Sequence, residues 1–140
     1  MCPYSNGAAA GNNPRHTLRV SNGLGDAFAR AVAAKDHDRI RELLHPEVDF
    51  RGMTPGRIWE ATDPAGVINA LSLWFEDSDE IEELLALDLD AFADRERVGY
   101  RLRVRNPDGE HLVEQQAYLS ERGTQIGWLR IMCSGFRPVS

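Results

Sequence analysis

The most constraining feature of the sequence is its second half, where four long strand candidates follow one another at residues 80–93, 96–105, 110–120 and 125–134. Asn106-Pro107-Asp108-Gly109 separates the second from the third. It has a hairpin signature, with proline at the second position and glycine where the backbone needs a positive φ. Glu121-Arg122-Gly123 is a weaker turn of the same kind. Such a run of strands needs one face covered, and the first half supplies the cover. Helical spacing places Leu24, Phe28, Ala31 and Val32 on one stripe of a helix capped by Ser21 and running to about Lys35. A second helix after Asp36 presents Ile40, Leu43 and Leu44, and must stop at His45 because Pro46 disfavours helical geometry in the residue before it. Glu47 to Arg51 alternates like a strand, Gly52 to Gly56 is a turn, and Arg57 to Ala61 is a short strand. Asp63-Pro64 opens a third helix whose stripe is Val67, Leu71, Trp74 and Phe75. Six acidic residues between Glu76 and Glu83 make a solvated connection. The expected fold is α+β, a curved mixed or antiparallel sheet with three helices on its concave face. It forms one domain over residues 21–140, behind a Gly-, Ala-, Asn- and Ser-rich flexible tail over 1–20.

Composition narrows the function classes. A chain of 140 residues, 42% hydrophobic and 27% charged, fits one ordinary globular core. No apolar run reaches the ~18 residues of a membrane span, so no membrane partner is expected. The first residues lack a basic start and an apolar stretch, so a secretory signal is not expected. Cys2 and Cys133 cannot build a disulfide framework, which points to a reducing, cytoplasmic setting. A net charge of −6 argues against sequence-independent nucleic-acid binding. His16, His37, His45 and His111 have no ligand spacing and no glycine-rich phosphate loop is present, so neither a metal nor a cofactor is expected.

The order of two helices, a strand pair, a third helix and a four-stranded meander resembles the cone-shaped nuclear transport factor 2-like superfamily, and SnoaL-like proteins within it. The resemblance rests on Ala33–Phe50 (AAKDHDRIRELLHPEVDF), Arg95–Val104 (RERVGYRLRV) and Gly123–Phe136 (GTQIGWLRIMCSGF), and covers about residues 22–137. It implies a central cavity and pairing of two copies through the outer sheet face. It also implies isomerase, polyketide cyclase or lyase chemistry, although one such fold hosts many functions. The superfamily's catalytic residues do not carry over. The steroid isomerases' oxyanion tyrosine falls on Phe28, their general base on Gly52 and their second oxyanion acid near Gln116. Of the epoxide hydrolases' arginine and two aspartates, only the arginine has a counterpart, at Arg97; the aspartates fall near Gly99 and Ile131.

Which side chains face the cavity depends on the hairpin register. With Pro107-Asp108-Gly109 as a three-residue loop, Asn106 pairs with Glu110, Leu102 with Glu114, Tyr100 with Gln116 and Val98 with Tyr118. That reading turns Val98, Tyr100, Leu102, Val104, Leu112, Glu114, Gln116 and Tyr118 inward. It turns Arg97, Arg101, Arg103, Arg105, Val113 and Gln115 outward. The hydrolase resemblance points Arg97 the opposite way and leaves the register open. In the first reading a desolvated Glu114 serves as general acid or base, while Gln116, Tyr118 and Tyr100 polarise a carbonyl. Trp59, Phe28, Leu102, Leu129, Ile131, Cys133, Val67 and Leu71 would bind the substrate. The competing reading makes Glu114 an arginine partner, the polar trio a structural network and Trp59 a core residue. His45 reads as a helix-end cap, Asp49 and Arg51 as a surface pair, and Cys133 as a small buried hydrophobe. The function expected is a cofactor-independent isomerase, cyclase or lyase for a small, largely apolar carbonyl compound, of the kind met in natural-product metabolism. The alternative is a non-catalytic ligand-binding or dimeric interaction module. Val113, Trp128 and Met132 are the apolar residues expected on the dimer face.

Overall fold

The computed structural model describes residues 23–139. The tail over 1–20, the expected cap Ser21 and Cys2 lie outside them. The described residues form three helices, α1 (Leu24–Ala33), α2 (His37–Leu43) and, after the first two strands, α3 (Pro64–Trp74). Seven strands form one sheet: β1 (Leu44–Thr54), β2 (Arg57–Ala61), β3 (Glu80–Phe92), β4 (Arg95–Asn106), β5 (Gly109–Arg122), β6 (Gln125–Cys133) and β7 (Arg137–Pro138). The sheet runs β2-β1-β6-β5-β4-β3, with β7 added to β5. Among the described residues, only β1 and β6 pair in parallel; every other pairing is antiparallel.

Local chemistry sets the helix ends. Gly23 precedes α1 in the left-handed region at φ 81°, a backbone that glycine adopts without strain. Asp36 accepts from the Arg39 amide and Asp63 from the Gly66 amide at 2.8 Å, the N-cap bond that satisfies an orphan donor. The second helix ends earlier than Pro46 alone requires. Leu44 is already extended and β1 begins there, so His45 is a strand residue accepting from the Glu47 amide rather than a helix cap. The acidic connection is also shorter than expected. It spans residues 76–79 and is pinned, because buried Asp79 accepts from Asn106 Nδ2 and the Glu76 amide while Lys35 Nζ donates to the Glu76 and Asp79 carbonyls.

The helices cover one face of the sheet and enclose the core. Phe28, Ala29 and Val32 of α1, Ile40 of α2, and Val67, Leu71 and Trp74 of α3 pack with Val48, Phe50, Val98, Tyr100, Leu102, Val113, Ala117, Leu119, Ile126 and Leu129. Each fully buried Leu, Val or Phe contributes on the order of 1.5–3 kcal/mol by leaving water. Among the described residues, no helix covers the outer face of the sheet.

The hairpin register differs by one residue from the three-residue-loop reading. Asn106 pairs with Gly109, and Arg101 with Glu114, Tyr100 with Gln115, Gly99 with Gln116 and Arg97 with Tyr118. The loop is Pro107-Asp108, closed by a bond from the Asp108 amide to Asn106 Oδ1, and Gly109 at φ 115° turns the chain yet still enters the ladder. A one-residue slip moves every side chain of β5 to the other face. Glu114, Gln116 and Tyr118 therefore lie on the outer face, and Val113 and Gln115 lie in the core, each 0% exposed. On β4, Val98, Tyr100, Leu102 and Val104 face inward while Arg97, Arg101, Arg103 and Arg105 face outward.

Candidate functional site

Two places combine polar groups with apolar walls. The first lies under the helices. Tyr100, Gln115 and Cys133 are neighbours across β4, β5 and β6 on the core face. The Tyr100 hydroxyl donates to Gln115 Oε1 at 2.6 Å, with both residues buried. Burial pushes the Tyr100 phenol far above its ordinary value of 10.0, and the nearby Cys133 sulfur adds to the rise. Tyr100 is thus a neutral hydrogen-bond donor, not a base. Its bond fixes which way the Gln115 amide points, and leaves Nε2 buried with no partner.

One row along the same face, Gly52, Ile131 and Ala117 pair across β1, β6 and β5. The Trp74 ring lies on Gly52; a Cβ there would come within 2.6 Å of Cη2 and 2.7 Å of Cζ2. Glycine is required here because the indole occupies the space of a side chain. Phe50 tilts against Trp74 at 6.2 Å, and Trp59 meets it edge-on at 6.1 Å. Trp59 itself donates to Thr54 Oγ1 at 2.8 Å beneath the Arg57 guanidinium. Trp74 Nε1 is a second buried donor without a partner. Of the expected substrate-binding set, Phe28, Val67, Leu71, Tyr100, Leu102, Leu129, Ile131 and Cys133 are buried in this core, and Trp59 packs against it half-exposed.

The expected acid/base group is elsewhere. Glu114 is solvent-exposed on the outer face, 3.6 Å from Arg101. Gln116 and Tyr118 do meet, the amide Nε2 donating to the Tyr118 hydroxyl oxygen at 2.9 Å, but also on the outer face. There they line the second place, a surface dish of about 400 Å³ with Arg51, Met53, Ile58, Glu60, Arg130 and Met132. The expected Asp49–Arg51 pair is replaced by Asp49 with Arg130 at 3.2 Å and Arg51 with Glu60 at 3.7 Å. Of the apolar residues expected on a dimer face, Met132 is exposed, together with Met53, Ile58 and Phe92; Trp128 is half-buried against Arg95 and Arg130, and Val113 is buried. Among the described residues, no group of three His, Cys, Asp or Glu could hold a metal ion, and no helix is long and apolar enough to cross a membrane.

Gln115 and Trp74 were not singled out as site residues by sequence. A signal for Gln115 existed: it occupies the middle of the period-two series Val113, Gln115, Ala117, Leu119, a polar residue at a core position.

No protein-family model and no curated protein matches the chain. Solved structures do. A LEH-like epoxide hydrolase from M. tuberculosis superposes with a TM-score of 0.62 at 11% identity, over 86% of this chain and 86% of its own. A candidate polyketide cyclase from Xanthomonas campestris gives 0.66 at 18% identity, over 81% and 90%. A hypothetical protein with a ketosteroid isomerase-like fold from Catenulispora acidiphila, solved with trimethylamine, gives 0.61 at 14%, over 79% and 85%. The chain therefore has the α+β fold of these solved structures, a curved mixed sheet with three helices. At these identities the likeness establishes the fold and leaves the chemistry to the site.

Proposed function

We propose that this protein binds a small, neutral, largely apolar molecule between its helices and its sheet, through a hydrogen-bond acceptor such as a carbonyl. The observation that carries this reading is the pair of buried, unpartnered donors, Gln115 Nε2 and Trp74 Nε1, over adjacent rows of one apolar face. A buried donor without a partner costs about 1–3 kcal/mol, and a bound acceptor recovers that cost. The walls, from Phe28, Phe50, Val67, Leu71 and Leu129, are hydrocarbon and favour an apolar body. Gln115 and His111 are the polar members of the described sheet that are buried, and neither carries a fixed charge opposite to an anion, so a neutral ligand fits better than a carboxylate.

A carbonyl-directed isomerase, cyclase or lyase is the second reading. It is favoured by the same donors, because aligned N–H groups in a dry site stabilise charge developing on a carbonyl oxygen. Glu114 has no part in it, being on the opposite side of the sheet.

Calorimetric titration with 1-tetralone, with tetralin as the hydrocarbon control, tests the proposal. The ketone should bind at least about fivefold more tightly, and Trp74→Phe should remove most of that preference, as loss of one hydrogen bond worth ~1 kcal/mol implies. Equal affinity for ketone and hydrocarbon would contradict it. Chemical conversion of a bound ketone on incubation would move the assignment to the second reading.

A further inference from the structure

The outer-face dish is separate from the interior donors, since the sheet lies between them. Its floor is the backbone of Gly52 and Ile131, whose side-chain directions point into the core, so the floor is peptide surface. Its walls are Met53, Ile58 and Met132, respectively 45%, 65% and 58% exposed. Methionine thioethers pack adaptably against ring edges. Two guanidiniums, Arg51 and Arg130, face one carboxylate, Glu60, which makes the lining net positive on a chain of net charge −6. Arg130 is already engaged: it holds Asp49 at 3.2 Å, donates to the Asp49 and Leu129 carbonyls and lies over the Trp128 ring. Arg51 is not so committed, with one long 3.7 Å contact to the exposed Glu60. Because Tyr118 accepts from Gln116, its own O–H is left as a donor at the rim.

We propose that this dish is a second binding site, for a small flat organic anion such as an aromatic carboxylate. The ring lies over the Gly52–Ile131 floor among Met53, Ile58 and Met132, and the carboxylate meets Arg51. A pocket of about 400 Å³ lies in the range that holds small ligands. A second copy of the chain is the competing occupant of an exposed apolar sheet face. The concavity favours the small molecule, because a two-fold contact centred on the dish sets one hollow against another and leaves both unfilled.

Only three methionines occur in the chain, so a 13C-methyl-methionine spectrum reads the site directly, with Met53 and Met132 in the walls and Met1 as reference. On titration with 1-naphthoate, Met53 and Met132 should shift saturably. 1-Naphthalenemethanol, which lacks the charge, should bind at least about fivefold more weakly, and Arg51→Gln should abolish that difference. Ile58→Glu, at a position exposed enough to leave folding intact, should weaken naphthoate at least about tenfold. The proposal is overturned if both methyls stay still, or if the alcohol binds as well as the acid. It is equally overturned if both methyls shift with protein concentration alone while sedimentation shows a doubled mass, which would mark the face as a contact between copies.

Discussion

The two faces of β5 stand in sharp contrast. Val113, Gln115, Ala117 and Leu119 are all 0% exposed, whereas Glu114, Gln116 and Tyr118, interleaved with them, lie on the outer face. On the buried face the Gln115 side chain is held by one strong bond and keeps one donor unused. On the outer face the polarity neutralises itself: Arg97 pairs with Asp88, Arg101 with Glu114, Arg103 with Glu83 and Glu110, and Arg105 with Glu82. The paired charges on the outer face are thus solvated structure, whereas polar groups beneath the helices are scarce and leave donors unused.

Substitutions on adjacent residues sharpen that contrast. The largest effect is expected from Val113→Asp, which puts a carboxylate into the core. A loss on the order of 4 kcal/mol, read as a shifted urea midpoint, follows from lost burial plus the unpaired polar group. A change below about 1 kcal/mol would break the register described above. Tyr100→Phe comes next. It strips Gln115 of its remaining bond and should cost on the order of 1–3 kcal/mol. It also carries a pH signature. Because burial holds the folded phenol protonated above its ordinary value of 10.0, the unfolded chain releases a proton that the folded chain keeps. Stability tied to Tyr100 is therefore present below pH 10 and falls as pH rises beyond it. In Tyr100→Phe that part of the alkaline loss should be absent; an unchanged alkaline slope would show Tyr100 to be solvated. The smallest effect belongs to Glu114→Gln. Its partner Arg101 is 3.6 Å away and both side chains are about half exposed, so stability should change by less than ~0.5 kcal/mol and ketone affinity by less than about twofold. A tenfold loss of affinity would return Glu114 to the interior.

Much of the architecture was legible in the sequence, and the reason is visible in particular segments. Asp63-Pro64 sets the start of α3, and the spacing of Val67, Leu71 and Trp74 sets its buried face. On β4 the alternation Arg97-Val98, Arg101-Leu102, Arg103-Val104 admits one sensible orientation. On β5 the pattern is weaker, because Leu112 and Val113 are both apolar and Glu114, Gln115 and Gln116 are all polar. Its orientation was therefore inherited from the loop, and Asn106-Pro107-Asp108-Gly109 suits a two-residue or a three-residue loop equally well. Cross-strand charge would have decided between them. The two-residue loop sets Arg101 against Glu114 and Arg105 against Glu110, and opposite charges on facing positions favour that register. The partner-free state of Gln115 Nε2 and Trp74 Nε1 had no sequence signal, because it depends on the Tyr100–Gln115 bond and on how α3 lies on Gly52.

The central claim, that Gln115 faces the interior and its two neighbours face water, is tested most directly by thiol accessibility. In a Cys2→Ser background, where buried Cys133 is the remaining native thiol, Glu114→Cys, Gln115→Cys and Gln116→Cys would each be reacted with a thiol reagent under native conditions. Labelling should be rapid at 114 and 116 and slower at 115 by at least about a hundredfold, limited by opening of the fold. Protection at 114 and 116 with rapid labelling at 115 would contradict it.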